Sequence, residues 1–216
     1  MNKKSKTFRL TVTAVMIALG TVLSMIKLYE LPFGGSVTLF SMLPLLMVGY
    51  MFGVKWGVFS GFVYGVLQCV LGSLTSTPFA SQSAVNVVFI ILLDYLVAFA
   101  VIGTSGMFKK KVKNTAASFA LGSFVAMLLR FVSHFISGVL FFGTWAEWYF
   151  TQEGFPAWGQ KILDSFGGLK LSMIYSFIYQ ASYLIPEIII TVIVGVIIAN
   201  IKPIKKYLVE DNTISE

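Results

Sequence analysis

The sequence predicts an all-α integral membrane protein: a single domain over residues 1–216, built as a six-transmembrane-helix bundle with the N- and C-termini cytoplasmic. Three observations predict it. The chain is 57% apolar and 12% charged, where a soluble domain carries ~25% charged residues. Its apolar residues gather into six runs, most of them as long as the ~17–25 residues of a bilayer helix. Its lysines cluster beside those runs, at Lys3, Lys4 and Lys6, at Lys109, Lys110, Lys111 and Lys113, and at Lys202, Lys205 and Lys206. The net charge of +7 therefore reads as cytoplasmic loops facing anionic membrane lipids, not as a nucleic-acid surface.

Taken in order, the first run extends from about Phe8 to Leu28. A basic segment precedes it, as in a signal peptide, but no small-residue cleavage site follows, so it is expected to be a retained helix. The second, about Thr38 to Phe52, is short. The third is about Trp56 to Ser73, the fourth Ala84 to Phe108, the fifth Ala116 to Gly143 and the sixth Leu171 to Asn200. With the N-terminus inside, the loops at Lys55 and Lys109–Lys113 and the tail at Lys202–Lys206 also fall inside, and all are basic. The outside loops, about 29–37, 74–83 and 144–170, carry Glu30, Glu147, Glu153 and Asp164 against Lys161 and Lys170. Omitting the short second run would break this alternation, which is the reason to count it.

Two small-residue patterns concern packing. Gly53, Gly57, Gly61 and Gly65 recur every four residues and let another backbone approach the third helix. Ala14 and Ala18 make a shorter step in the first. The 144–170 loop is too long for a mere connection. Its Trp145, Trp148, Tyr149, Phe150, Phe155 and Trp158 suit either an interfacial belt or a lid over a site. The lone Cys69 excludes an internal disulfide.

The polar residues inside the apolar runs carry the functional signal. The fifth run holds Arg130 and the single histidine, His134. At helical spacing His134 shares a face with Gly138, Phe141/Phe142 and Trp145, as in a half-pocket whose gap is left by the glycine. At ~1.5 Å rise per residue, Asp94 lies ~15 Å from the outer end of its helix, and His134 and Gln180 ~13.5 Å, with Tyr175 higher at ~6 Å. Three helices thus place an acid, an imidazole and an amide at one level. A charge in hydrocarbon costs at least ~2.5–3.5 kcal/mol, so Asp94 and Arg130 need partners. They can pair with each other and simply hold helices together, or Arg130 can pair with Glu187 and leave Asp94 to a ligand. His134 can instead be a neutral ring satisfied by a backbone carbonyl or hydroxyl. Tyr95, Phe142 and Tyr175 can be ordinary packing residues.

A carboxylate level with aromatic rings suits a small organic cation or a planar heterocycle bearing amino groups. One histidine, with Cys69 on another helix, makes no metal site. HExxH, a serine elbow, a paired acidic cluster and GxxxxGK[ST] are all absent from the sequence. The expectation is a solute-capturing protein, not an enzyme, with no cofactor and with energy supplied from elsewhere.

The chain resembles the thiamine-specific substrate-binding subunits (S components) of energy-coupling-factor vitamin transporters. The matching segments are Leu31-Pro32-Phe33-Gly34-Gly35-Ser36-Val37-Thr38, Leu93-Asp94-Tyr95-Leu96-Val97-Ala98-Phe99, Leu129-Arg130-Phe131 through His134 to Ser137-Gly138, Phe141-Phe142-Gly143, and Tyr175-Ser176 with Tyr183-Leu184-Ile185-Pro186. The resemblance implies a thiamine pocket near the extracellular side of a bacterial plasma membrane. Asp94 would hydrogen-bond the aminopyrimidine or balance the cation. His134 and Phe142 would flank the thiazolium, Tyr175 and Gln180 would contact the pyrimidine end, and Tyr95 would line the pocket. Ala14-x-x-x-Ala18 would dock a transmembrane coupling subunit, and two cytoplasmic ATPase subunits would drive transport. Relatives can carry Glu at the position of Asp94, Trp at Phe142 and Gly35, and Asn at Gln180. The alternatives are an S component for another vitamin or a thiamine precursor, or a scaffold subunit with no ligand.

Overall fold

The computed structural model describes residues 6–31, 34–73, 79 and 82–209. Lys3, Lys4, the Pro32-Phe33 pair and most of the expected outer loop at 74–83 lie outside them. Five helices among the described residues are long and apolar enough to cross a membrane. They are α1 (Lys6–Ser24), α3 (Val54–Ser73), α4 (Ala84–Phe108), α5 (Thr115–Phe141) and α8 (Gly168–Asn200). Asn114 starts α5 by accepting a side-chain hydrogen bond from the Ala117 amide, the usual way of satisfying an orphan amide at a helix start.

The second expected span is different. Its helix, α2 (Leu43–Phe52), has 10 residues and reaches only ~15 Å, half of a ~30 Å hydrocarbon core. The first helix stops at Ser24 rather than Leu28. The residues between the two helices form a small antiparallel ribbon, β1 (Lys27–Glu30) against β2 (Ser36–Thr38), which helical periodicity did not foresee. Pro44 in the first turn of α2 and Gly53 after it, at φ 90°, bound the short helix. Nearly all of α2 is buried. Leu45, Leu46, Val48 and Tyr50 pack with Phe119, Met127 and Ile188 of the long helices. It is a central rod, and its shortness leaves room for a cavity beyond its N-terminal end, where Ser41 and Met42 line the void.

The glycine repeat of α3 serves packing inside the molecule. A Cβ on Gly57, Gly61 or Gly65 would lie 2.4, 2.2 and 2.6 Å from the carbonyl oxygens of Gly103, Phe99 and Tyr95 in α4. Those distances are impossible, so α4 rests directly on the α3 backbone. Gly61→Ala is expected to destabilise the fold by about 1–3 kcal/mol through overpacking. Thermal unfolding in detergent measures it; an unchanged midpoint would mean that α4 recedes freely. Ala14 and Ala18 behave differently, since both lie exposed on α1.

The 144–170 stretch is folded. A turn at Gly143–Trp145 leads into α6 (Ala146–Phe150), and α7 (Trp158–Ser165) follows. Tyr149 sits at the centre of an aromatic cluster, its ring 5.3 Å from those of Phe150, Phe155 and Tyr175 and 5.7 Å from that of Tyr179. Burial raises the Tyr149 phenol above its ordinary value. This segment caps the N-terminal end of α8. At the other end, α9 (Lys202–Val209) turns Ile204 and Leu208 into the core and leaves Lys202, Lys205 and Lys206 exposed.

Candidate functional site

A cavity of about 500 Å³ lies among α3, α4, α5 and α8, with the end of α1, the β-ribbon and the start of α2 completing its wall. Small-molecule sites span ~300–1,000 Å³. All six residues singled out from the sequence line it: Asp94, Tyr95, His134, Phe142, Tyr175 and Gln180.

Asp94 projects from a π-helical segment of α4, Ile91–Val97. His134 Nδ1 lies 2.8 Å from its Oδ1, and the Ser137 hydroxyl donates to its Oδ2 at 2.6 Å. A carboxylate offers about four lone-pair sites, so both oxygens are oriented by α5 and keep capacity for a ligand. The Asp94 side chain remains 17% exposed. His134 Nε2 is buried without a hydrogen-bond partner among the described residues. With Nδ1 committed to Asp94, Nε2 is the ring atom left to a bound molecule. The backbone-satisfied histidine considered from the sequence is therefore replaced by an Asp–His pair.

Gln180 is largely engaged inside the wall. Its amide nitrogen donates to the His134 carbonyl at 3.3 Å, and its carbonyl accepts from the Tyr183 hydroxyl. Tyr175, Tyr179 and Tyr183 follow one another at i+4 along α8, with neighbouring ring centroids 5.8 Å apart. The Gly35 amide of the ribbon donates to the Tyr179 hydroxyl at 3.2 Å. A Cβ at Gly35 would meet that oxygen at 2.8 Å, so the ribbon seats on the tyrosines through a residue without a side chain. Tyr95 stacks on Phe79 at 6.1 Å. Phe142 follows the last residue of α5, where Gly143 lets the turn press against Ser172.

Two expectations change. Gly138 does line the cavity, but the space its missing Cβ leaves is taken by α8: a Cβ there would lie 2.2 Å from the Ser176 hydroxyl, which donates to the Phe135 carbonyl. Trp145 does not line the cavity; it stands edge-on to Trp148 at 6.1 Å.

The choice of partner for Arg130 is resolved. Arg130 Nη1 lies 3.2 Å from Glu187 Oε2, while Thr38 of β2 donates to Oε1 at 2.7 Å and shares a 2.6 Å hydrogen bond with Ser41. The guanidinium also sits 5.1 Å from the Phe99 ring centroid. Both charges are buried, and both line the same cavity. Sequence reasoning left both out of the candidate site, whereas they form part of its wall. It also missed Tyr179, Tyr183 and Ser137. The i+4 spacing from Tyr175 would have found the tyrosines, and the i+3 step from His134 would have found the serine. Glu30, Gly35, Ser36 and Thr38 reach the cavity through the ribbon, for which the helical pattern holds no signal.

Comparison with known proteins adds to this geometry. Residues 10–158 match the family model described as thiamine transporter protein (Thia_YuaJ). The chain is 34% identical over 205 residues to the thiamine transporter ThiT of Bacillus subtilis, covering 90% of this chain and 91% of that one. It is 25% identical to ThiT of Lacticaseibacillus paracasei over 64% of this chain and 68% of that one. A solved structure of ThiT from Listeria monocytogenes shares the fold at a TM-score of 0.67 and 20% identity, covering 95% of this chain and 99% of that one. The family is one of transporters, not enzymes, and with its long apolar helices the chain is a multi-pass protein of the bacterial cell membrane. A family model spanning most of the chain and a relative aligned almost end to end lead to one conclusion: the chain belongs to the thiamine transporter protein (Thia_YuaJ) family.

Proposed function

We propose that this chain is the high-affinity thiamine-binding subunit, the S component, of an energy-coupling-factor type ABC importer. It captures thiamine at the extracellular side and delivers it with a transmembrane coupling subunit and two cytoplasmic ATPase subunits. The carrying observation is the Asp94–His134–Ser137 constellation in a cavity walled by tyrosines and Phe142. Thiamine joins an aminopyrimidine, which donates hydrogen bonds, to a cationic thiazolium. Asp94 accepts from the amino group or balances the cation. His134 and Phe142 flank the thiazolium, and the Phe142 face attracts its charge. Tyr175 and Gln180 meet the pyrimidine end, and Tyr95 closes the wall.

Six passes, the second made by the short α2 together with the chain that runs into it from β2, with both termini in the cytoplasm, suit this role. They put the acidic loops and the cavity outside and the lysine clusters inside. Ala14 and Ala18, exposed on α1, provide a smooth surface on which a coupling helix can dock. Fluorescence titration of the purified protein with thiamine tests the reading. Saturable quenching at one molecule per chain is expected, as is thiamine among the small molecules that copurify. Absence of saturable binding would sink it, and binding of only riboflavin or of the isolated pyrimidine would assign the cavity to another vitamin or to a precursor.

A further inference from the structure

The residue that carries the site, Asp94, stands on an irregular piece of backbone. α4 runs as an α-helix over Ala84–Ile90, widens to a π-helix over Ile91–Val97 and tightens to a 3₁₀-helix over Val101–Phe108. In the π-segment the Ala98 amide reaches back five residues to the Leu93 carbonyl. Such turns are rare and less favourable than α-helix. Nothing local demands this one: the segment reads Ile-Leu-Leu-Asp-Tyr-Leu-Val, with neither proline nor glycine to break an α-helix. Tertiary contacts therefore hold it.

Those contacts come from two sides. On one, Gly65 of α3 leaves space for the Tyr95 carbonyl. On the other, α5 sends three successive polar side chains toward the segment. His134 and Ser137 take the Asp94 carboxylate. Ser133 donates its hydroxyl to the Leu93 carbonyl at 2.6 Å, one residue before Asp94 and on the same oxygen that accepts the five-residue bond. Ser133 is 5% exposed and is not part of the cavity wall. It can reach a ligand only through Asp94.

We propose that Ser133 is a positioning residue for substrate binding: its hydrogen bond to the Leu93 carbonyl holds the π-turn that aims the Asp94 carboxylate into the cavity. A helix relaxing from π to α geometry turns its side chains about the axis, which swings Asp94 away from His134 and Ser137. The proposal rests on the thiamine-binding reading above and deepens it.

The test is a double-mutant cycle read by calorimetric titration with thiamine, with ligand-free thermal unfolding alongside. Ser133→Ala is expected to weaken thiamine binding roughly tenfold, the size of one lost hydrogen bond, while the ligand-free protein melts close to wild type. Ser133→Thr keeps the donor and is expected to stay within about threefold of wild type. In an Asp94→Asn background Ser133→Ala is expected to bring no further loss, because the group it aims is already disabled. Unchanged affinity in Ser133→Ala overturns the proposal, as does an equal loss in both backgrounds or a fall in melting temperature alone. If wild-type protein binds no thiamine, the reading of the cavity fails and this proposal fails with it. If wild type binds and Ser133→Ala binds as well, only the positioning role fails.

Discussion

Asp94→Asn is expected to lower thiamine affinity by at least about a hundredfold, or ~2.7 kcal/mol. The substitution keeps the shape of the side chain and removes its charge. Hydrogen bonds to charged groups contribute ~1.5–3 kcal/mol, and the loss of charge also removes the attraction for a cationic ring. The amide also changes the local hydrogen bonds: its NH₂ group must face either Ser137 or His134, which approach the carboxylate at 2.6–2.8 Å, so that the hydroxyl must turn to accept or the imidazole must take its other tautomer. Asp94→Glu, which keeps the charge on a longer stem, is expected to retain far more affinity. Calorimetry on detergent-purified protein gives both values, and an Asp94→Asn protein that binds as tightly as wild type would remove Asp94 from the site.

Arg130→Met is expected to cost about 3–5 kcal/mol of stability, the range for breaking one side of a buried ion pair. Glu187 is 1% exposed, and without Arg130 the Thr38 hydrogen bond is all it keeps among the described residues. A lone carboxylate among apolar side chains is costly both in a protein interior and at membrane depth. The double variant Arg130→Met with Glu187→Leu is expected to recover most of the loss, because it removes both charges together. Thermal unfolding without ligand is the measurement, since both residues line the cavity and would confuse a binding readout. Arg130→Met melting at the wild-type temperature would show that the pair does not hold α5 to α8.

Much of the site was legible because helical rise turns sequence position into depth. Asp94, His134 and Gln180 were counted to one level on three runs, and the structure brings them around one cavity. The long apolar runs likewise depend only on local composition, and five of them form helices long enough to cross a membrane. The structure altered what depended on azimuth and on partners. Depth could not say that Arg130 faces Glu187 rather than Asp94, because both acids lay within reach. It also could not show which backbone approaches the glycine face of α3, which the structure presses against α4 carbonyls.

The sequence by itself determined the membrane class, the candidate residues and their levels, since these follow from transfer free energy and a fixed rise per residue. Tertiary structure decided the rest. It ended the second span at ten residues and made it a buried rod, with a β-ribbon folded over the space it leaves. It bent α4 into a π-turn that no local propensity requires. It joined Asp94 to His134, Ser137 and, through Leu93, Ser133. The physical reason is common to the last two: a polar group in an apolar interior takes whichever partner packing brings within ~3 Å, and that partner lies on another helix, about forty residues away in the cases of Ser133, His134 and Ser137.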